Sequence, residues 1–273
     1  MASGGYGVHL DLRPVSELRP HEETIESNTR EMVAQLKRDG AQKDPIIVDD
    51  GTGVVLDGMH RLSAFRELGI GYAACSLVEY ASANISLGRW LRVYLSSGDG
   101  SPAELAREAG LTRRTSLPEA LRELERREAH AAAFADGVAF SPPEPGKADA
   151  GFAALRRADA FAQTHGWRRT FVGEEELESH ARRPSEVVMM VGPFEKTDVL
   201  KAGVTGRLLP CKTSMHLIDP RPVAVKIPIG ELKAGSRGTL ERRLGEKRFD
   251  VLPPNSFYEG RRYKERLLLL SGG

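Results

Sequence analysis

The chain has 273 residues and a mass of 29.9 kDa, enough to bury a sizeable core as one large domain or two modest ones. Its 40% hydrophobic and 28% charged residues are those of a globular protein and exclude a wholly disordered or fibrous chain. A net charge of +1 gives no global field for polyanions, so nucleic acid is not expected as a partner without a local basic patch.

No apolar run approaches the length of a membrane span, and the start MASGGYGVHLDLRPV lacks the basic-then-apolar pattern of a secretory signal. The expectation is a cytoplasmic protein with no membrane partner. Cys75 and Cys211 have neither the number nor the spacing for a disulfide framework or a zinc knuckle, and are read as buried structural thiols.

Residues 8–19 mix alternating apolar positions with two X-Pro steps, which predicts a short strand turning at Pro20. His21, Glu22 and Glu23 follow, then a helix over about 25–38 that ends at Asp39-Gly40. Pro45 opens the strand PIIVDD, and Asp50-Gly51-Thr52-Gly53 turns it tightly into VVLD. Leu62, Phe65 and Leu68 then recur at helical spacing up to Gly69, and residues 72–80 suit another strand. Residues 86–95, SLGRWLRVYL, read as a helix. The Ser- and Gly-rich stretch 96–102 reads as a linker and marks the first boundary.

From Ala103 to Phe134 the chain is rich in Ala, Leu, Glu and Arg, with Leu117-Pro118 interrupting it, which favours two amphipathic helices. A further helix is expected over about 152–163. The mixed charges of this middle region are a solvated helix face rather than a binding site. EVVMMVGPF reads as a buried strand, residues 196–202 as a short helix, VAVKIPIGEL as an alternating strand, and VLPPNSFYEGRRYKERLLLL as a partner strand with an aromatic turn.

One stretch carries the strongest chemical signal. Residues 57–61, DGMHR, lie where a strand's C-terminal end meets a helix N-terminus, and there free backbone N–H groups and the helix dipole favour an anion. Gly58 lets the backbone approach a ligand, and His60 and Arg61 make phosphate the natural guest. Asp57 would repel a phosphate unless a cation intervenes, so it suits a Mg²⁺-associated ligand or an acid or base. The plainer alternative is that Asp57 caps the helix and Arg61 pairs with an acid such as Glu67. The acids of His21-Glu22-Glu23 serve either the following helix dipole or, if they face the cradle, deprotonation of an acceptor hydroxyl. Trp90 reads from its type alone as a core or interface aromatic. Lys212, Thr213, Ser214, Met215 and His216 offer an ammonium, two hydroxyls and an imidazole, a set suited to a small zwitterion or a phosphate, or else simply a polar loop.

These pieces in this order resemble the ParB/sulfiredoxin-type fold, and within it the branch of free L-serine kinases. The resemblance is carried by HEE, the following helix and DPIIVDDGTGVVLDGMHRLSAFRELG over residues 8–95, and returns in RLLPCKTSMHLIDPRPVAVKIPIGEL at 207–232. It implies an α/β (α+β) architecture: a nucleotide- and phosphate-binding domain at 1–95, a helical middle region at 96–184, and a mixed C-terminal lobe at 185–273 that closes a cleft over the acceptor. The implied reaction is transfer of a phosphoryl group from ADP or ATP, with Mg²⁺, to the hydroxyl of free L-serine. Glu22 then matches the family's catalytic Glu, Asp57 and His60 join it in the chemistry, and Asp57, Gly58, Met59, His60 and Arg61 match its phosphate motif. Trp90, Lys212, Thr213, Ser214 and His216 match the acceptor side, although an arginine expected near that segment is not picked out.

Two relatives within the fold are set aside on residues. Sulfiredoxin needs a reactive Cys before the His-Arg pair, and Met59 stands there, a thioether that cannot be that nucleophile. Chromosome-partitioning ParB proteins carry Gly-Glu-Arg-Arg where this chain has DGMHR. The competing functions are a kinase for threonine or another hydroxy amino acid, and a ParB-like nucleotide- or DNA-binding regulator without turnover.

Overall fold

The structure, a computed structural model, describes residues 2–4, 8–97, 99–234, 238 and 248–271. Its packing divides the chain into two units. The first holds Met1–Leu87, Lys196–Cys211 and His216–Gly273, and the second holds Gly88–Glu195 and Lys212–Met215.

The first unit is built on a five-stranded sheet with spatial order Ala2–Gly4, Val8–Pro14, Tyr72–Val78, Ile46–Asp49, Val55–Asp57. Ile46–Asp49 and Tyr72–Val78 run parallel, with Ile46 opposite Cys75 and Val48 opposite Leu77; the other neighbours are antiparallel. The parallel pair needs a crossover, and the segment carrying the second helix supplies it. Helix α1 spans Glu26–Asp39 and helix α2 spans Met59–Glu67, and the two pack on each other. Gly40 ends α1 in the left-handed region at φ 63°, as the Asp39-Gly40 stop predicts. Leu12, Ile46, Val55, Leu62, Phe65 and Cys75 meet in one buried core with Val225, Leu232 and Leu268 from the far end of the chain. That late return is stitched in by two pairings: Ile227–Pro228 lies against Ala41–Gln42, and Arg221–Val223 lies parallel to Leu267–Ser271.

The second unit is a sheet flanked by helices Pro102–Glu108, Leu117–Glu125 and Ala148–Thr164. Its strands run in the order Arg168–Gly173, Ile85–Leu95, Glu186–Val191, Ala131–Ala135, Val138–Ser141, Arg113–Thr115. Two expectations are corrected here. Residues 86–95 form a strand, not a helix, because Ile85–Leu95 is hydrogen-bonded on both sides, to Arg168–Gly173 and Glu186–Val191, which buries Leu91, Val93 and Tyr94. The middle region is likewise not all helix. Ala131–Ala135 follows a helix-favouring composition, yet its small side chains fit the crowded centre of the sheet, and tertiary pairing overrides propensity. Pro118 begins a helix instead of merely breaking one, with Ser116 as its N-cap. The linker-like stretch at 96–102 runs from a strand into a helix opened by Ser101 and Glu104 as a reciprocal capping box. The mixed α/β class holds. Cys75 and Cys211 are both buried, and among the described residues no helix is long and apolar enough to cross a membrane.

Candidate functional site

The strand-to-helix turn on which the expected anion cradle rests forms as its residues predict. Strand Val55–Asp57 ends at Gly58, which takes φ 101° and turns the chain into α2. A side chain at that position would have its Cβ 3.1 Å from Nη1 of Arg61 and 3.4 Å from Ile46, so both the torsion and the space select glycine. The helical ladder of α2 starts with Leu62 N–H donating to Gly58 O, which leaves the first-turn N–H groups of Met59, His60 and Arg61 without an intrahelical acceptor. Met59 itself packs into the core, which leaves only its backbone at the helix N-terminus. Arg61 donates from Nη1 to Pro45 O at 2.9 Å, and the described residues show no ion pair between it and Glu67. His60 reaches back to α1: its Nε2 accepts from Ile25 N–H at 3.1 Å.

His21 and Glu22 are fixed by the chain that returns near residue 209. Leu209 N–H donates to His21 O and Glu23 N–H to Leu209 O, both at 2.9 Å, a short parallel bridge centred on Glu22. The buried His21 donates from Nδ1 to Val55 O at 2.6 Å, since a carbonyl can only accept; this places its Nε2 3.6 Å from Oε1 of Glu22. Glu22 is only 7% exposed.

Arg221, the arginine of the Pro-Arg-Pro in the 207–232 segment, was not singled out from the sequence as a candidate for the site. Only 4% exposed, it donates from Nη1 to Asp57 Oδ2 at 2.7 Å, from Nε to Glu265 Oε1 at 2.5 Å, and from Nη2 to His216 O at 3.1 Å. Burial opposes its charge, but the two carboxylates more than offset that and hold its pKa above the ordinary value. Asp57 is therefore an ion-pair partner at the edge of the cradle, with its side chain 43% exposed. His216 lies at the meeting point of the set. Its Nε2 is 2.7 Å from the Tyr80 hydroxyl, and the ring edges onto His21 at a centroid distance of 5.4 Å. Desolvation first, then the neighbouring His21, push its pKa down to about 3, with Glu22 and Asp57 pulling the other way. Tyr80, like Arg221, touches His216 and was not singled out from the sequence.

The other expected acceptor residues gather in the second unit. Trp90 N–H donates to Thr213 O at 3.1 Å, and Nζ of Lys212 lies 5.2 Å from the Trp90 ring centroid, a cation–π arrangement. Lys212 has φ 52°, a left-handed turn that sets the ammonium over the indole, while Thr213 and Ser214 are buried. The first unit thus assembles Glu22, Asp57, Gly58, Met59, His60, Arg61 and His216, and the second assembles Trp90, Lys212 and Thr213 with the adjacent Ser214.

No known protein-family profile matches the chain. A ParB-like protein of Sulfolobus acidocaldarius is 35% identical over 97 residues, 31% of this chain and 48% of the relative. An ATP-dependent L-serine kinase of Staphylothermus marinus is 29% identical over 101 residues, 36% of this chain and 40% of the relative. The chain thus spans under half the length of these curated relatives. Among solved structures, a free serine kinase variant in complex with AMP superposes with a TM-score of 0.69 at 18% identity, covering 82% of this chain and 94% of that one. The fold matches that of a free serine kinase.

Proposed function

We propose that the protein is a kinase that transfers a phosphoryl group from ATP or ADP to the hydroxyl of free L-serine, giving O-phospho-L-serine. The observation that carries this reading is the convergence on His216: one neutral imidazole lies in the fields of Glu22, Asp57, Arg221 and His21, all in the unit that holds the helix N-terminus at Gly58–Arg61. An acid, an anion cradle and a guanidinium in one unit are the parts that phosphoryl transfer requires, since that reaction depends on alignment and charge neutralisation. The relative named as an ATP-dependent L-serine kinase supports the same reading and favours ATP as donor.

In this mechanism the N–H groups of Met59, His60 and Arg61, with the Arg61 side chain, hold the donor phosphates. Glu22 takes the proton from the acceptor hydroxyl as the bond to phosphorus forms, and the bridge to Leu209 keeps its carboxylate in place. Arg221 holds Asp57 and supplies positive charge beside His216. Asp57, an exposed hard-oxygen ligand next to the cradle, fits Mg²⁺ and would hold it with phosphate oxygens and water; when bound, the ion neutralises phosphate charge. Within the first unit, His216 is assigned to the acceptor amino acid.

The test is direct. The protein is incubated with Mg²⁺, ATP or ADP, and each hydroxy amino acid, and products are read by phosphorus NMR and mass spectrometry. Phosphoserine as the main product supports the reading, and phosphothreonine moves the acceptor assignment. The ParB-like relative favours one other reading, a regulator without turnover. Nucleotide binding with salt-sensitive DNA binding and no phosphoamino acid would establish that instead.

A further inference from the structure

Tyr80 is held from three directions inside the first unit. Its backbone N–H donates to Oδ1 of the buried Asp49 at 3.1 Å, and Asp49 is itself locked by Thr52, which donates to Oδ2 from N at 3.0 Å and from Oγ1 at 2.6 Å. Over the phenol ring sits Nζ of Lys196, 5.3 Å from the centroid and anchored to Ser82 O at 2.8 Å. The hydroxyl is left with His216 Nε2, at 2.7 Å, as its one hydrogen-bond partner among the described residues. Tyr80 is 1% exposed, so its hydroxyl is held away from bulk water.

This geometry decides where the His216 proton sits. A phenol has one hydrogen to give, and among the described residues the acceptor within reach is Nε2. If Nε2 carried the proton and donated to the phenol oxygen, the phenol's own hydrogen would be buried with no acceptor, an arrangement folded proteins avoid. Tyr80 therefore donates, Nε2 accepts, and the one proton of the neutral imidazole lies on Nδ1. Arg221 fixes the same residue from its backbone side by donating to His216 O at 3.1 Å.

We propose that Tyr80 is a positioning residue that holds His216 in its Nδ1–H tautomer, so that Nδ1–H is the donor offered to an anionic group of the acceptor, its carboxylate or the phosphoryl group it receives. The step to the acceptor rests on the serine-kinase reading above; the tautomer does not. The role is distinct from catalysis, because Tyr80 acts on the ligand only through the imidazole. It also gives Asp49, Thr52 and Lys196 a purpose, which is to hold the phenol where its hydrogen meets Nε2.

The experiment uses the full chain labelled with ¹⁵N-histidine, with the His216 signals assigned by their loss in His216→Gln. The expected wild-type spectrum shows a pyrrole-like Nδ1 and a pyridine-like Nε2, and Tyr80→Phe moves both towards tautomer-averaged positions. A protonated Nε2 in the wild type, or an unchanged tautomer in folded Tyr80→Phe, overturns the proposal. If Tyr80→Phe does not fold, the wild-type spectrum alone decides the tautomer. In turnover, Tyr80→Phe is expected to raise KM for the acceptor amino acid about tenfold while KM for nucleotide stays within about twofold. Equal loss for both substrates would reduce Tyr80 to a structural residue and overturn the positioning role. Failure of the kinase reading looks different: the wild type makes no phosphoserine, while the nitrogen spectrum still reports the tautomer.

Discussion

Replacing Arg221 by Met tests whether the buried charge set is a structural unit. Arg221 and Glu265 are 4% and 7% exposed, and their Nε–Oε1 distance is 2.5 Å. Removing the guanidinium leaves the Glu265 carboxylate buried without its counter-charge, a class of change that costs about 3–5 kcal/mol. The arm to Asp57 adds under about 1 kcal/mol, because that side chain is 43% exposed and water screens it. The sum is about 4 kcal/mol. At about 2–4 °C per kcal/mol for a domain of this size, the melting temperature should fall by about 8–16 °C. The assay is urea and thermal unfolding followed by circular dichroism, with amide exchange in Arg221–Val223 and Leu267–Ser271 to locate the loss. The double variant Arg221→Met/Glu265→Leu removes both buried charges and should recover most of the stability, since apolar replacement of a buried pair is often close to neutral. A single variant within about 1 kcal/mol of the wild type, or a double variant no more stable than the single, would refute the reasoning.

The remaining predictions are narrower. Glu22→Gln should lower kcat by about 10²–10⁴-fold with nucleotide affinity unchanged in equilibrium binding, and wild-type kcat would remove Glu22 from its role as base. Gly58→Ala should cost about 1–3 kcal/mol, from φ 101° and the 3.1 Å approach to Arg61, and should weaken nucleotide binding; a loss under about 0.5 kcal/mol would show that the turn tolerates a side chain. The pKa of His216 falls from 6.5 to about 3 on folding, so the folded state resists its protonation. Its contribution is fully present above pH 6.5 and is lost as pH falls from 6.5 towards 3, with a slope of at most about 1.4 kcal/mol per pH unit. His216→Gln should remove that part of the slope, and identical pH profiles for the two proteins would count against it.

The legible parts of the fold were those specified locally. Asp39-Gly40 stops α1, the Asp50–Gly53 turn joins two strands, and Gly58 turns a strand into α2, each through a residue whose backbone preference suits its place. The misread parts depend on partners that are remote in sequence. In Ile85–Leu95 the apolar spacing fits a helix as well as a strand buried on both faces, and only the flanking strands Arg168–Gly173 and Glu186–Val191 choose between them. Trp90, Val93 and Tyr94, bulky or β-branched residues within ten positions, were the available signal for a strand. Ala131–Ala135 carries no such signal, because alanine favours helix until a crowded sheet centre selects it for size.

The same division explains the site. The cradle is contiguous in sequence and could be read directly, whereas Asp57 meets Arg221 across 164 positions and Tyr80 meets His216 across 136. Arg221 sits between two prolines in DPRP, where it looks like part of a turn, and its partners Asp57 and Glu265 give no local hint of a shared ion pair. This pairing also bears on the choice left open at Asp57. A carboxylate whose Oδ2 accepts from a buried guanidinium at 2.7 Å has that oxygen engaged and is poorly placed to take a proton from a hydroxyl. Glu22 is buried, with Nε2 of His21 3.6 Å from its Oε1. In the proposed mechanism Glu22 is the base and Asp57 the ligand for a cation, and the guanidinium that Arg221 places on Asp57 is the observation that favours this division of roles.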